Sequence, residues 1–251
     1  MATSAPNPYA NIGFEDFRRL AQQPGLSKYE RIGFPDSYRE GFEAEIFRDI
    51  LGKLPRLNED RQVILDVGPG CSDLPVMLIE HCAARGHELH LVDSAEMLGH
   101  LPDRAGTHKH AGLFPNCPDL VAAQQGRVNV LLCYSVLHYV LVDAAFFRFL
   151  DTALSLLAPG GEFLIGDIPN ISKRKRFFAS ETGVRFHQEF MKTAERPEVR
   201  FNQIEPDQID DAVVMALLQR ARAQGFDAYV VPQSRALPMA NRREDILIVR
   251  P

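Results

Sequence analysis

The stretch QVILDVGPGCSD, residues 62–73, decides the fold. Val63, Ile64 and Leu65 read as a buried strand, which Gly68, Pro69 and Gly70 break just before a segment with helical spacing, Asp73 to Arg85. Glycines at such a turn let the backbone approach a ligand closely, and open α/β sheets bind nucleotides in the crevice beyond the carboxyl ends of their strands. The dinucleotide pattern G-x-G-x-x-G, counted from Gly68, requires a glycine at position 73, where Asp73 stands. A phosphate-cradling P-loop is excluded as well, because no Gly-Lys-Ser/Thr follows.

Working outward, short apolar runs alternate with amphipathic segments. Strands are expected at 62–66, 88–92, 128–133 and 162–166, with a weaker one at 107–110. Helices are expected at 73–85, 95–101 and 143–157, the last closed by Pro159-Gly160-Gly161. A further helix, Ile209 to Gln224, stops at Gly225 and is followed by DAYVV (227–231) and DILIV (245–249). Those two runs lie too close for a helical crossover and so should pair antiparallel. The fold expected is α/β: a Rossmann-like doubly wound sheet of seven strands, mostly parallel with an antiparallel C-terminal strand and helices on both faces.

Residues 1–60 read as an N-terminal helical extension ahead of a main domain at 61–251. Ser37 and Glu40 fit a capping box, and Tyr38, Phe42, Ile46, Ile50 and Leu54 recur at helical spacing up to Pro55. Such an extension suits either a lid, with Tyr29 or Arg31 near the entrance, or a dimer contact. The polar segment at about 170–205 reads as an insertion on the substrate side.

The 251 residues are 45% hydrophobic, enough for a substantial core, and their net charge of −5 provides no global positive field for nucleic acid or an anionic membrane. No apolar run approaches the roughly 20 residues of a membrane helix, and MATSAPNPYANIGFEDF lacks the features of a signal peptide. A cytoplasmic location is expected, with Cys71, Cys82, Cys117 and Cys133 reduced.

Four segments together carry a resemblance: LDVGPG (65–70), LVDSAEML (91–98), CYSVLHYVLVD (133–143) and LAPGGEFLIGDIP (157–169). Over about residues 60–168 and 207–250 the chain resembles the class I S-adenosylmethionine-dependent methyltransferases. That resemblance implies S-adenosyl-L-methionine as cofactor. It places Asp66 near the methionine end, Gly68, Pro69 and Gly70 in the cofactor loop, and Asp93 on the ribose hydroxyls. Ser94 and Met97 continue the family's D-x-S-x-x-M-L pattern, Met97 or Leu98 would pack on the adenine, backbone atoms of Ala111 could contact it, Gly112 belongs to the same cofactor-binding segment, and Cys133, Tyr134 and Ser135 follow the fourth strand on the cofactor side. The chain departs from the family at Ser72, where a third glycine is common, and at His110, where an acidic residue is common. Asp93 also admits a plainer reading, as a helix cap before Ala95.

Methyl transfer from a sulfonium needs orientation and exclusion of water, and a base only where the acceptor loses a proton. His138 and Asp167 are the candidate catalytic residues, with packing and turn capping as their alternatives. Metal-dependent relatives place an Asp after the fourth strand and Asp-Asn after the fifth. Here Cys133-Tyr134-Ser135 and Asp167-Ile168-Pro169-Asn170 stand instead, so no metal is expected. The run Lys173-Arg174-Lys175-Arg176 reads as a solvated face or as a grip on an anionic acceptor. His187 and Glu189 suit the acceptor pocket or one face of a structural helix.

The acceptor expected is oxygen or nitrogen of a small molecule or glycan precursor. The inserted segment and LPMANRREDILIV (237–249) resemble methyltransferases associated with bacterial surface-glycan or flagellin-glycan pathways. Two alternatives stand beside this reading: a nicotinamide-dependent oxidoreductase of the same fold, and a non-catalytic S-adenosylmethionine-binding protein.

Overall fold

The computed structural model describes residues 12–251. In chain order the elements are α1 (Phe14–Gln22), α2 (Lys28–Arg31), α3 (Asp36–Arg39), α4 (Glu43–Lys53), β1 (Val63–Val67), α5 (Asp73–Arg85), β2 (Glu88–Asp93), α6 (Ala95–Leu98), β3 (Thr107–Ala111), α7 (Pro118–Gln124) and β4 (Val128–Tyr134). They continue with α8 (Leu137–Asp143), α9 (Phe146–Leu156), β5 (Leu157–Pro169), α10 (Ile171–Ala179), α11 (Glu181–Met191), α12 (Asp211–Ala223), β6 (Asp227–Val231) and β7 (Arg243–Val249).

The seven strands form one sheet in the order β3-β2-β1-β4-β5-β7-β6. β1 pairs in parallel with β2 and β4, β2 with β3, and β4 with β5. β7 runs antiparallel to both β5 and β6. The order reverses between β1 and β2 on one side and β4 on the other, which opens a crevice at their carboxyl ends.

Period-two alternation along the strands sends neighbouring side chains to opposite faces. Ile64, Leu89, Leu132 and Leu164 pack with Ile46 and Ile50 of α4, with Leu54 just after that helix, and with Leu78, Ile79 and Cys82 of α5. Leu65, Leu131, Phe163 and Ile165 pack on the other face with Phe149, Leu150 and Ala153 of α9 and with Leu217 and Ala221 of α12. Both faces are buried, which is why the inner strands are apolar almost without interruption. α4 therefore shares the core of the sheet, although it precedes β1.

Three local expectations change. The helix expected from Ser37 to Leu54 is two helices, because Gly41 takes a left-handed φ of +82° and turns the chain between α3 and α4. Ser37 then lies inside α3 behind its N-cap, Pro35, and Glu40 terminates that helix, so the capping-box reading fails. The segment after β4 folds as a separate helix, α8, and α9 starts three residues later than the expected helix start at Asp143. The 170–205 segment contains a helical hairpin, α10 and α11. All four cysteines are free thiols; three are buried and Cys117 is half-buried.

Gly166 of β5 sits opposite Tyr134 of β4, and a Cβ there would lie 2.3 Å from Cδ2 of the tyrosine ring. Gly166→Ala should therefore cost about 1–3 kcal/mol in urea unfolding, since a packed ring must move. An unchanged midpoint would show that the ring is free to shift.

Candidate functional site

The chain turns at the end of β1 through Gly68 (φ +73°) and Gly70 (φ +68°). A Cβ on Gly68 would come within 2.6 Å of Val136, and one on Gly70 within 2.7 Å of Ile32, so both positions are closed to larger residues. The Gly70 N–H donates to Asp93 Oδ2 at 2.9 Å, and the Ser94 N–H donates to Oδ1 at 2.7 Å. Each Asp93 oxygen keeps a second acceptor site. The Ser94 hydroxyl accepts from the Met97 N–H at 3.2 Å and caps α6, so the capping role falls to Ser94 and not to Asp93.

A cavity open to solvent, enclosing about 970 Å³ of empty space up to and including its mouth, lies over this loop. Of the residues expected to bind cofactor, Gly68, Pro69, Gly70, Asp93, Met97, Gly112, Tyr134 and Ser135 line it. Asp66, Ser94, Ala111 and Cys133 do not. Asp66 is buried beneath the loop, Ser94 is turned to its capping bond, Ala111 is exposed beside Asp93 in the sheet, and Cys133 points into the core. His110 stands outside the cavity too, its Nε2 2.9 Å from Nδ1 of His90.

Most of the other wall residues lie outside the four motif segments. Phe14, Phe17, Ile32, Phe34 and Arg39 reach the cavity from the N-terminal segment, and Phe114, Tyr139 and Asp143 complete its aromatic side and its rim. Named contacts hold this roof. The Phe14 N–H donates to Asp143 Oδ2 at 3.1 Å, Arg18 pairs with Glu96 at 2.8 Å, and Lys28 pairs with Asp73. The Phe17 and Tyr139 rings meet edge to face with centroids 4.8 Å apart. Tyr29 is buried, with its hydroxyl 3.4 Å from Glu43 Oε2, and neither it nor Arg31 lines the cavity.

Arg39 continues inward, over the Phe34 ring at 4.6 Å, to bond Ser135 Oγ and, at 3.3 Å, Asp167 Oδ2. Asp167 also accepts from the Ser135 hydroxyl, from Arg243 at 2.8 Å and from Gln233 at 3.3 Å. Burial pushes its carboxyl up, but Arg243 and Arg39 more than offset this and hold it below the usual carboxylate range. Asp167 is thus a saturated, ionised anchor. Nδ1 of His138 is buried without a partner, and burial, aided by the Arg243 charge, lowers its pKa to about 3. The imidazole is neutral near pH 7 and lies outside the cavity lining, next to Tyr139, whose phenol burial raises to about 12.

The basic run on α10 is largely spoken for: Lys173 bonds the Arg243 carbonyl, Lys175 pairs with Glu205 at 3.0 Å, and Arg176 pairs with Asp211. His187 faces a separate groove on the insertion, and Glu189 is exposed. Among the described residues no group of three or more His, Cys, Asp or Glu is placed to hold a metal ion.

No protein-family model matches the chain, and no curated protein matches it. Solved structures do. A putative S-adenosylmethionine-dependent methyltransferase from Listeria monocytogenes shares 16% identity over 85% of this chain and 97% of its own, with a TM-score of 0.52. The N-methyltransferase NodS from Bradyrhizobium japonicum, solved with S-adenosyl-L-homocysteine, shares 13% over 95% and 98%, with a TM-score of 0.53. Magnesium protoporphyrin IX methyltransferase from Synechocystis, also with bound S-adenosylhomocysteine, shares 13% over 94% and 94%, with a TM-score of 0.51. The fold is that of the class I S-adenosylmethionine-dependent methyltransferases.

Burial raises the Asp66 carboxyl to about 8, with repulsion from Asp93 adding to it. Burial raises Asp93 to about 6 against the two N–H bonds it accepts. A folded-state pKa above the unfolded value means that the native protein holds a proton which the unfolded chain has released. Relative to Asp66→Asn, the wild-type protein should therefore lose stability steadily between about pH 4 and about pH 8 in denaturant titrations. A difference that stays flat across this window would show that Asp66 is ionised throughout.

Proposed function

We propose that this protein transfers a methyl group from S-adenosyl-L-methionine to oxygen or nitrogen of a small molecule or glycan precursor. The observation that carries the reading is Asp93, a carboxylate at the end of β2 whose two oxygens each keep an acceptor site beside an apolar, aromatic-walled cavity. Two adjacent ribose hydroxyls match that pair of acceptors. Met97 and Phe114 offer an apolar slot for adenine, and the Gly68–Gly70 turn leaves room for the methionine part.

The charge around the loop favours this ligand over a pyrophosphate. Asp93 carries the negative charge beside the turn, because Asp66, raised to about 8, is neutral near pH 7 and Asp73 is paired with Lys28; a single carboxylate there suits a ligand bearing an ammonium and a sulfonium, whereas a dinucleotide would bring two negative charges beside it. When bound, S-adenosyl-L-methionine supplies a methyl carbon already activated for in-line displacement. The residues of this chain orient and enclose it: the Phe14, Phe17 and Phe34 roof excludes water, and Arg39 with Ser135 fixes the wall at the end of β4. Where the acceptor must lose a proton, His138, next to Tyr139 of the cavity wall, can take it once acceptor binding opens a path to it and relieves the burial that holds its pKa at about 3, while Asp167 positions Arg39 and Arg243.

Incubation with methyl-labelled S-adenosylmethionine and a panel beginning with nucleotide sugars should release S-adenosylhomocysteine in step with label on the acceptor. With that acceptor, His138→Gln should lower kcat by about 100-fold or more at unchanged cofactor affinity. Cofactor binding without turnover on any acceptor would favour a binding protein, and an undiminished kcat in the variant would remove His138 from the chemistry.

A further inference from the structure

The insertion after β5 carries apolar side chains that the fold leaves in water. Within fifteen residues Ile204 is 90% exposed, Phe190 62%, Phe201 58% and Met191 53%. Large hydrophobic side chains gathered on a single surface segment mark contact with something apolar. The charge of the same segment identifies what. Residues 171–205 hold eight Lys or Arg against five Glu, a net of +3 in a chain whose total is −5, so the remainder stands at −8. Among the described residues Arg174, Arg185 and Lys192 have no carboxylate partner, and all three are exposed. Arg174 stands over the Phe178 ring at 5.7 Å, on the wall of a groove of about 960 Å³ between α10 and the 197–205 segment.

We propose that this helical hairpin and the segment after it form a docking surface for an anionic lipid bilayer, bound peripherally and reversibly. Exposed Phe, Ile and Met enter the interfacial layer, while Arg and Lys beside them meet anionic headgroups. The acidic remainder of the chain keeps the protein's other faces off the membrane, which orients the contact. No helix among the described residues is long and apolar enough to cross a bilayer, consistent with a surface contact. The hairpin leaves the carboxyl end of β5, the same end of the sheet as the cavity, so a docked protein presents its cavity near the lipid surface.

The test is co-sedimentation of the purified chain with vesicles of phosphatidylcholine alone and with about one-third phosphatidylglycerol. The protein should pellet with the anionic vesicles only, and added salt should release it. Phe201→Ser/Ile204→Ser and Arg185→Glu/Lys192→Glu should each weaken the partitioning by about tenfold or more, with unchanged circular dichroism and S-adenosylhomocysteine affinity. Failure to pellet, or pelleting that neither double substitution alters, overturns the proposal. So does a dimer in light scattering that Phe201→Ser/Ile204→Ser dissociates, because the face would then bind a second copy of the chain. The pelleting and light-scattering outcomes do not depend on whether the cavity binds a cofactor.

Discussion

Asp167 is where distant parts of the chain meet. Its carboxylate lies near the end of β5 and accepts bonds from Arg39 of the N-terminal segment, Ser135 beyond β4, Gln233 between β6 and β7, and Arg243 of β7. A buried carboxylate would cost several kcal/mol without partners, and two guanidinium groups with a hydroxyl and an amide offset that cost here. Asp167 and Ser135 both hold left-handed backbone, at φ +57° and +61°, a conformation that costs non-glycine residues about 1–3 kcal/mol and persists only where neighbours enforce it. The bonds between the two side chains and to Arg39 are that enforcement. Through Arg39 the same carboxylate draws the N-terminal helices across the strand ends, so the cavity owes its roof to a residue that does not line it.

The cavity itself depends on a second carboxylate. Asp93 ties the glycine turn to the end of β2 by accepting the Gly70 N–H, and it does so from a position the parallel register of β1 and β2 supplies. The turn is then clamped on its other side by Val136 and Ile32, which come as close as only glycine permits. A loop held this way is preorganised, and little conformational freedom remains to be lost when a ligand arrives.

The sheet was legible because its physics is periodic. Buried parallel strands demand unbroken apolar runs, and those runs marked β1, β2 and β4 to within a residue or two, while the short interval between the apolar runs of β6 and β7 required an antiparallel pair. Asp93 and the two glycines were legible for the same reason, since their positions follow from the end of a strand. The roof was not. Phe14, Phe17, Ile32, Phe34 and Arg39 reach the cavity through a turn at Gly41 and a long-range ion pair, and neither leaves a period in the sequence. The helical spacing of Tyr38, Phe42 and Ile46 runs straight across Gly41 and predicts one helix where the chain turns. The helices of the insertion leave only a weak period, because α10 and α11 mix aromatic and basic residues on faces that pack only partly on each other.

The central claim is that Asp93 holds the ribose of an adenosyl cofactor in this cavity. Calorimetric titration of the wild-type protein and of Asp93→Ala with S-adenosylhomocysteine tests it most directly. The account predicts one site per chain in the wild type and affinity about 100-fold weaker or undetectable in the variant, since two charge-assisted hydrogen bonds are lost. Equal affinity in the two proteins, or no binding to folded wild type, would contradict it.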